Sequence, residues 1–542
     1  MRNPFLKIVT ANYVLSLIVA GSLCLFDTAQ AAEPQKTYSR APMAAYNSLM
    51  DDALLGNSYE KPVWNLHDTL HLPDWLTLGL ENRTRYESLS DGFKASQLSL
   101  PSKTAAAPGG DQQIDLQTDL WVQAKFGKFR FATEFMDARA LSSDSGVANT
   151  PNPPNNTMVD TLDFTQIYAS WADQNTLLSG LGVEVKAGRQ TMDLGSRRLV
   201  SRPFFRNAVN NFTGLRIRVL DYGRWQLNAF GTMPVLRFPN YVKTPRNGDP
   251  NLVAANANLL VNGDQQWDQE DTHTWFSGGI LEGYDVIKNI NTDLALYSLN
   301  ESDSNNNATR NRNYLTPDIR FYIKPSKAHF DFVAEGMGQF GTVQFDTLNN
   351  NHQQNHQAWS SHLEAGYSFD LPMSPRFLVE YDWASGSKNH SSTTDTDGRF
   401  DPLYGASDVD FGSSGIYSSF QRSNINSPGA RLNFAPRKDI TVSLQQRAIW
   451  LASAGDCWGG SSCTSGTAPA LNGNAKGTSG DYIGDQIGAS SRYNYNSSLN
   501  FEAGWLHLFK GQFAKSAISS TTATTTPGGD TNYFYVTSQV RF

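Results

Sequence analysis

The strongest constraint on this chain is a two-residue period. Leu76, Leu78 and Leu80 alternate with Thr77, Gly79 and Glu81, and the polar phase continues through Arg83 and Arg85. Ile114, Leu116, Leu120, Val122, Ala124 and Phe126 alternate with Asp115, Gln117, Asp119, Gln123 and Lys125. Leu215, Ile217 and Val219 alternate with Arg216 and Arg218, and Ile319, Phe321 and Ile323 with Arg320, Tyr322 and Lys324. Successive side chains of a strand point to opposite faces, so each segment carries one apolar and one charged face. No segment shows a convincing apolar run at helical spacing.

The pattern predicts eighteen strands, at 75–87, 113–126, 129–140, 160–171, 183–193, 212–221, 224–234, 273–287, 292–302, 314–324, 328–341, 359–371, 375–385, 427–436, 438–452, 482–495, 498–510 and 531–542. Connections after even strands are short, such as Gly127-Lys128 and Tyr222-Gly223, with 172–182 as the exception. Those after odd strands are long and polar: 88–112, 141–159, 235–272, 386–426, 453–481 and 511–530. Short turns on one side and long loops on the other describe an all-β transmembrane antiparallel barrel, with both chain ends on the periplasmic side. Lipid leaves no edge unpaired, so such a sheet must close. About eighteen strands enclose an aqueous lumen. Turning Arg216 or Arg218 to lipid near the midplane would cost about 2–4 kcal/mol each. Trp75, Trp121, Trp171, Trp225 and Trp383 fall where interfacial girdles are expected.

Composition supports this class. Of 542 residues, 18% are charged, below the roughly 25% of soluble proteins, while 12% are aromatic, which argues against disorder. The net charge of −7 argues against nucleic acid as a partner. Arg2 and Lys7, the apolar stretch from Ile8 to Phe26 and Ala29-Gln30-Ala31 read as a signal peptide over 1–31. Cleavage removes Arg2, Lys7 and Asp27, making the chain more negative by one. Residues 32–74 then form an N-terminal periplasmic segment and 75–542 the barrel, in the bacterial outer membrane. Cys457 and Cys463 suit a local disulfide in an oxidising compartment. His352 and His356 lie in a Gln/Asn-rich loop and lack further metal ligands. Asp395, Asp397 and Asp401 do not match an EF-hand and read as a solvated loop. There is no G-x-S-x-G, P-loop or H-E-x-x-H motif, so neither catalysis nor a cofactor has a candidate.

Seven blocks carry a family resemblance: Leu78–Glu87 (LGLENRTRYE), Glu134–Arg139 (EFMDAR), Gly188–Gln190 with Gly195–Val200 (GSRRLV), Phe205–Asn207, Asn211–Arg216 (NFTGLR), Gly398–Gly405 (GRFDPLYG) and Ser427–Leu432 (SPGARL). In this order the chain resembles the alginate export family from about residue 75 onward. The resemblance implies an eighteen-stranded outer-membrane channel for an anionic polysaccharide. A string of arginines would pass a polyuronate from site to site, each contact individually weak. By parity Arg83, Arg85, Arg216, Arg218, Arg320, Arg431, Arg447 and Arg541 face inward, with Glu81, Asp115, Asp119, Glu380, Asp382 and Glu502. The pore-lining candidates are Arg83, Arg85, Arg189, Arg198, Arg216, Arg218, Arg320, Arg431, Arg447, Glu81 and Asp119. Charged ladders of this kind can also simply stiffen a wall. Arg189 shares its phase with Val183, Val185 and Ala187, which points it at lipid. The resemblance implies the pore, and a bulge at Gly188 would reconcile the two.

Two other functions fit the same pattern: a porin importing small organic molecules, and a surface receptor or adhesin with a plugged pore. Expected partners are outer-membrane lipids, the anionic solute and the barrel-assembly machinery, which the terminal Phe542 resembles a signal for. A monomer is the default expectation.

Overall fold

The computed structural model describes residues 54, 61–90, 111–141, 158–178, 180–237, 267–303, 309–345, 352–388, 394–413, 420–456, 458, 480–516 and 529–542. The expected signal peptide, Cys457 and Cys463 lie outside the described residues.

Strands β1 (Leu76–Ser90), β2 (Asp111–Phe126), β3 (Phe129–Leu141), β4 (Asp160–Leu178), β5 (Leu181–Gln190), β6 (Phe212–Asp221) and β7 (Trp225–Leu236) open the sheet. The short β8 (Gln269–Glu270) precedes β9 (Thr274–Ile287), β10 (Ile290–Glu301), β11 (Asn313–Ile323), β12 (Phe330–Gln344), β13 (Gln353–Ser368) and β14 (Arg376–Ala384). The short β15 (Thr396–Asp397) precedes β16 (Ile425–Arg437), β17 (Ile440–Trp450), β18 (Tyr482–Asn494), β19 (Leu499–Lys510) and β20 (Thr531–Arg541). Among the described residues the helices are single turns: α1 (Leu66–Thr69), α2 (Asp408–Phe411) and α3 (Gln512–Ser516).

The eighteen long strands are antiparallel to their neighbours, and β20 pairs with β1 from Glu81–Arg541 to Ser90–Asn532. The sheet is therefore a closed barrel, in which every wall strand has two neighbours. Its apolar faces point outward: Leu215, Ile217, Leu294, Ile319, Leu363 and Val379 are exposed. Its charged faces point inward, where Glu81, Arg83, Arg85, Asp119 and Arg447 are buried. Trp75 stacks on Phe126 at 5.4 Å on the outside of the periplasmic rim, as a girdle residue should. Trp121 departs from that expectation. It shares the inward phase of Asp119 and Gln123 and is 2% exposed.

The expected long connection 172–182 is mostly strand. β4 runs to Leu178 and β5 starts at Leu181, leaving a turn with Gly180 at φ +78°. A left-handed residue is what a tight hairpin turn requires, and Gly adopts it without steric cost.

The interior is not an empty tube. Residues 191–211, between β5 and β6, fold into the lumen. So does the chain after β15. The two segments meet in a parallel bridge between Val200 and Tyr404. Ser201 N donates to the Tyr404 carbonyl at 3.1 Å, Tyr404 N to Leu199 at 3.0 Å and Ala406 N to Arg197 at 3.1 Å. Around the bridge lies a buried apolar cluster that includes Val200, Phe212, Phe276, Phe400 and Phe411. Tyr404 sits edge-on to Phe212 at 5.1 Å.

At the periplasmic end, Trp64 N donates to Ser498 Oγ at 2.8 Å and its ring lies 6.4 Å from that of Phe542. Inside the β1–β20 seam, Arg541 Nε donates to Glu81 at 2.6 Å and Gln539 to the same carboxylate at 2.5 Å. Glu81→Ala removes one partner of this buried pair and should cost about 3 kcal/mol. The expected outcome is a lower temperature for conversion from the folded to the unfolded band in heat-modifiability gels. An unchanged temperature would show that the seam rests on its backbone bonds alone.

Candidate functional site

Two features of the lumen carry charge in an organised way. The first is a row of cations. Register places Lys125 opposite Arg130, Arg130 opposite Ser170, Ser170 opposite Lys186 and Lys186 opposite Arg216. These five residues face inward on five adjacent strands, β2 to β6, and four of them are basic. Neighbouring strands are about 4.8 Å apart, so the row forms a basic belt nearer the periplasmic end, two pairs of cations on either side of Ser170. All four cations are only partly buried. Lys186 rests over the Tyr168 ring at 4.2 Å, and Arg216 donates to Asn228 Oδ1 at 2.7 Å.

The second feature is a network that pins the infolded segments to the wall. Arg83 donates to the carbonyls of Phe204 and Arg206, the latter at 2.9 Å, and Arg85 to that of Phe205 at 2.5 Å. Gln117 donates to the carbonyl of Asn207 at 2.6 Å. Arg202 binds Glu134 on β3 at 2.5 Å, while Arg198 binds Glu335 on β12 at 2.5 Å. One short segment is thus anchored to nearly opposite sides of the barrel. Arg198 also takes Asp410 of α2 at 2.7 Å, and Arg422 bridges Asp382 of β14, at 2.8 Å, to Asp410. Arg447 adds contacts to Asp382 at 2.6 Å and Glu380 at 3.1 Å. Burial alone would raise the Asp410 carboxyl, but Arg198 and Arg422 outweigh it and hold it below the ordinary carboxylate value. Burial, with Arg237 nearby, pushes the Arg206 guanidinium down to about 9.

The family model for alginate export matches residues 74–526. The chain belongs to the alginate export family. No curated protein matches the sequence. Among solved structures the chain is similar in fold to the outer membrane protein OprD from Pseudomonas aeruginosa, at 12% identity and a TM-score of 0.47, over 86% of this chain and 93% of that one. OccAB3 from Acinetobacter baumannii is similar at 11% identity and a TM-score of 0.48, over 86% of this chain and 99% of that one. The protein is a bacterial outer-membrane channel, and its family is one of transport proteins rather than enzymes.

Within this family member the candidate arginines fall into three groups. Arg216 and Arg218 face the lumen in the cation belt and just periplasmic of it, Arg218 beside Glu184 at 3.6 Å. Arg83, Arg85, Arg198, Arg320, Arg431 and Arg447 also face the lumen but bind carbonyls or carboxylates there. Arg320 is paired with Asp293, and Glu81 is the seam carboxylate. Asp119 is buried between Glu81 and Glu134, with Arg83 and Arg202 nearby. Arg189 stands apart. It pairs in register with Ile167 and Thr213, keeps their outward phase, and binds Asp163 at 3.2 Å and Glu270 at 2.8 Å. The expected pore-facing position is therefore corrected. Gly188 has φ +126° but stays in register, and the bulge lies instead on β4 near Thr165. The segment around Trp267 and Glu270 covers Arg189, with Trp267 stacked on Phe164 at 5.7 Å.

Period two places Lys125, Arg130 and Lys186 on the charged faces of their strands, but only the register between strands brings them into one row. Arg202, Asp410 and Arg422 gave no local signal, because their partners are distant in the chain. The Asp-rich loop is structural: Asp397 lies 3.2 Å from His356, and Asp401 binds Arg312 at 2.8 Å.

Replacing Arg83 and Arg85 together with Met should free 191–211 from β1, since hydrogen bonds involving a charged group contribute about 1.5–3 kcal/mol each. Faster external proteolysis within 191–211 and a larger single-channel conductance are the expected outcomes. Unchanged values for both would show that this segment is held from its other ends.

Proposed function

We propose that the channel passes an anionic polysaccharide of the alginate type, or smaller anionic solutes, through the outer membrane. The observation that carries this reading is the inward row on adjacent strands in which Lys125 and Arg130, then Lys186 and Arg216, flank Ser170. A polyuronate presents one carboxylate per sugar, and a lateral row of cations offers it repeated, interchangeable contacts. Partial exposure keeps each contact weak, which a polymer that must also leave requires. The lumen's low-dielectric wall strengthens the field of the belt relative to open water.

Uptake of small organic solutes is the second reading. It is favoured by the two infolded segments, which join inside the lumen and are anchored to its wall, so that they obstruct a wide polymer more than a small solute. Phe542, beside Trp64 at the end of the closing strand, is proposed as the mark for the assembly machinery.

The test is reversal potential in planar bilayers under a KCl gradient, with oligouronate added on the periplasmic side. The wild type should prefer anions and be blocked. Replacing all four belt cations with Gln should shift the preference toward cations and weaken the block about tenfold, a loss of ~1.4 kcal/mol. Cation preference in the wild type with no oligouronate block would overturn the proposal. Block by monomeric acids and none by oligomers would favour the small-solute reading.

A further inference from the structure

We infer that Asp410 is a resident stand-in for a solute carboxylate, seated in an arginine fork that the transported anion occupies when the lumen opens. The inference rests on the anionic-solute reading and adds to it the place and chemistry of one binding step.

The geometry is that of a bound carboxylate. Arg198 Nη2 donates to Asp410 Oδ1 at 2.7 Å and Nε to Oδ2 at 3.2 Å, a bidentate arrangement. Arg422 Nη2 donates to Oδ2 of the same group. Arg431 donates to the Asp410 backbone carbonyl at 3.3 Å. His362 Nδ1 lies 2.8 Å from Asp382 and 3.7 Å from Asp410. His362 Nε2 is buried and has no hydrogen-bond partner. It faces Glu364 only at 3.9 Å.

Charge balance gives the fork its sign. The guanidiniums of Arg198, Arg422, Arg431 and Arg447 meet four carboxylates, Glu335, Glu380, Asp382 and Asp410. Glu335, Glu380 and Asp382 stand on wall strands. Asp410 alone comes from a loop, on the single turn α2. Withdrawing it leaves an excess of positive charge facing the lumen. His362, Asp382 and Asp410 also lie close enough to hold a metal ion between them. Arg198, Arg422 and Arg447 surround that position, and their charge disfavours a cation there.

The arrangement also suggests how a filled lumen opens. Pulling α2 away with nothing in its place would strand buried guanidiniums, which is strongly unfavourable. Exchange of one carboxylate for another leaves the number of charged hydrogen bonds unchanged. An anionic solute can therefore open the path at little cost where a neutral one cannot. Phe411, which lies under Arg422 at 5.7 Å and Arg447 at 5.2 Å, would move with Asp410 and clear the same space.

The experiment compares the full-length wild type with Asp410→Asn and Asp408→Asn in planar bilayers. Asp408 lies on the same turn but outside the fork, so its variant controls for general disturbance of α2. Heat-modifiability checks that each variant folds. The probes are chloride, acetate, monomeric glucuronate and short oligoglucuronate. Asp410→Asn should raise the preference for chloride and acetate over potassium and bind glucuronate about tenfold more tightly, with Asp408→Asn like the wild type. Tighter binding of monomer and oligomer alike identifies the carboxylate as the recognised group. If acetate and chloride respond while oligoglucuronate blocks neither form, the fork stands and the polymer reading fails. If folded Asp410→Asn matches the wild type for chloride and acetate, or Asp408→Asn changes equally, the inference is overturned.

Discussion

Lipid offers a peptide group no hydrogen-bond partner, and the rest of this structure follows from that constraint. Each wall strand must be bonded on both edges, so the sheet has to close where β20 meets β1. Closure of eighteen long strands fixes a wide interior. The two-residue period then divides the wall into a face for hydrocarbon and a face for whatever fills the interior. The ion pair between Arg541 and Glu81 adds a specific fastener to the seam, from the inside, where water and neighbouring charges can support it.

A wide interior creates a second constraint. Wall side chains alone do not reach across it, and the chain fills it with 191–211 and the segment after β15. A backbone folded inside a barrel leaves bulk solvent and must find partners for its own carbonyls. The charged wall supplies them. Arg83 and Arg85 bind three consecutive carbonyls, from Phe204 to Arg206, and Asn207 Nδ2 donates back to Leu116, Arg139 and Met158 carbonyls at 3.1, 3.0 and 2.8 Å. Much of the inward charge therefore solvates protein. The cation belt differs because its members sit periplasmic of the infolded chain and stay partly exposed.

The sequence was most informative where structure is local. Alternation over Leu76–Arg85 or Leu215–Val219 identifies a strand and both of its faces, because a side chain's face depends only on its parity. Short turns were legible for the same reason, except at 172–182, where polar residues at the end of β4 resembled a loop. Depth and occupancy were not legible. Parity sets Trp121 and Arg447 on the inner face but cannot say that each is buried. Nothing near residue 198 announces that its partner is residue 410. The infolding of 191–211 depends on contacts with β1, β2, β3 and β12, each remote in sequence. Arg189 shows the opposite limit: parity pointed it outward, as the structure has it, and the family resemblance pointed it inward. A covering segment near Trp267 lets a buried cation remain on the outer face.

The choice of arginine over lysine in the network has a physical basis. A guanidinium is planar and carries several fixed donors, so one side chain can bind a wall carboxylate and a loop carboxylate together. Arg198 does this between Glu335 and Asp410, and Arg422 between Asp382 and Asp410. Lysine would offer one mobile point charge and no fixed bridge. The belt, by contrast, mixes lysine with arginine, as suits contacts that must form and break. Net charge says little about either. A chain that is negative overall can still place its cations in contiguous groups inside the wall, and a passing ion responds to the field within the lumen rather than to the sum over the molecule.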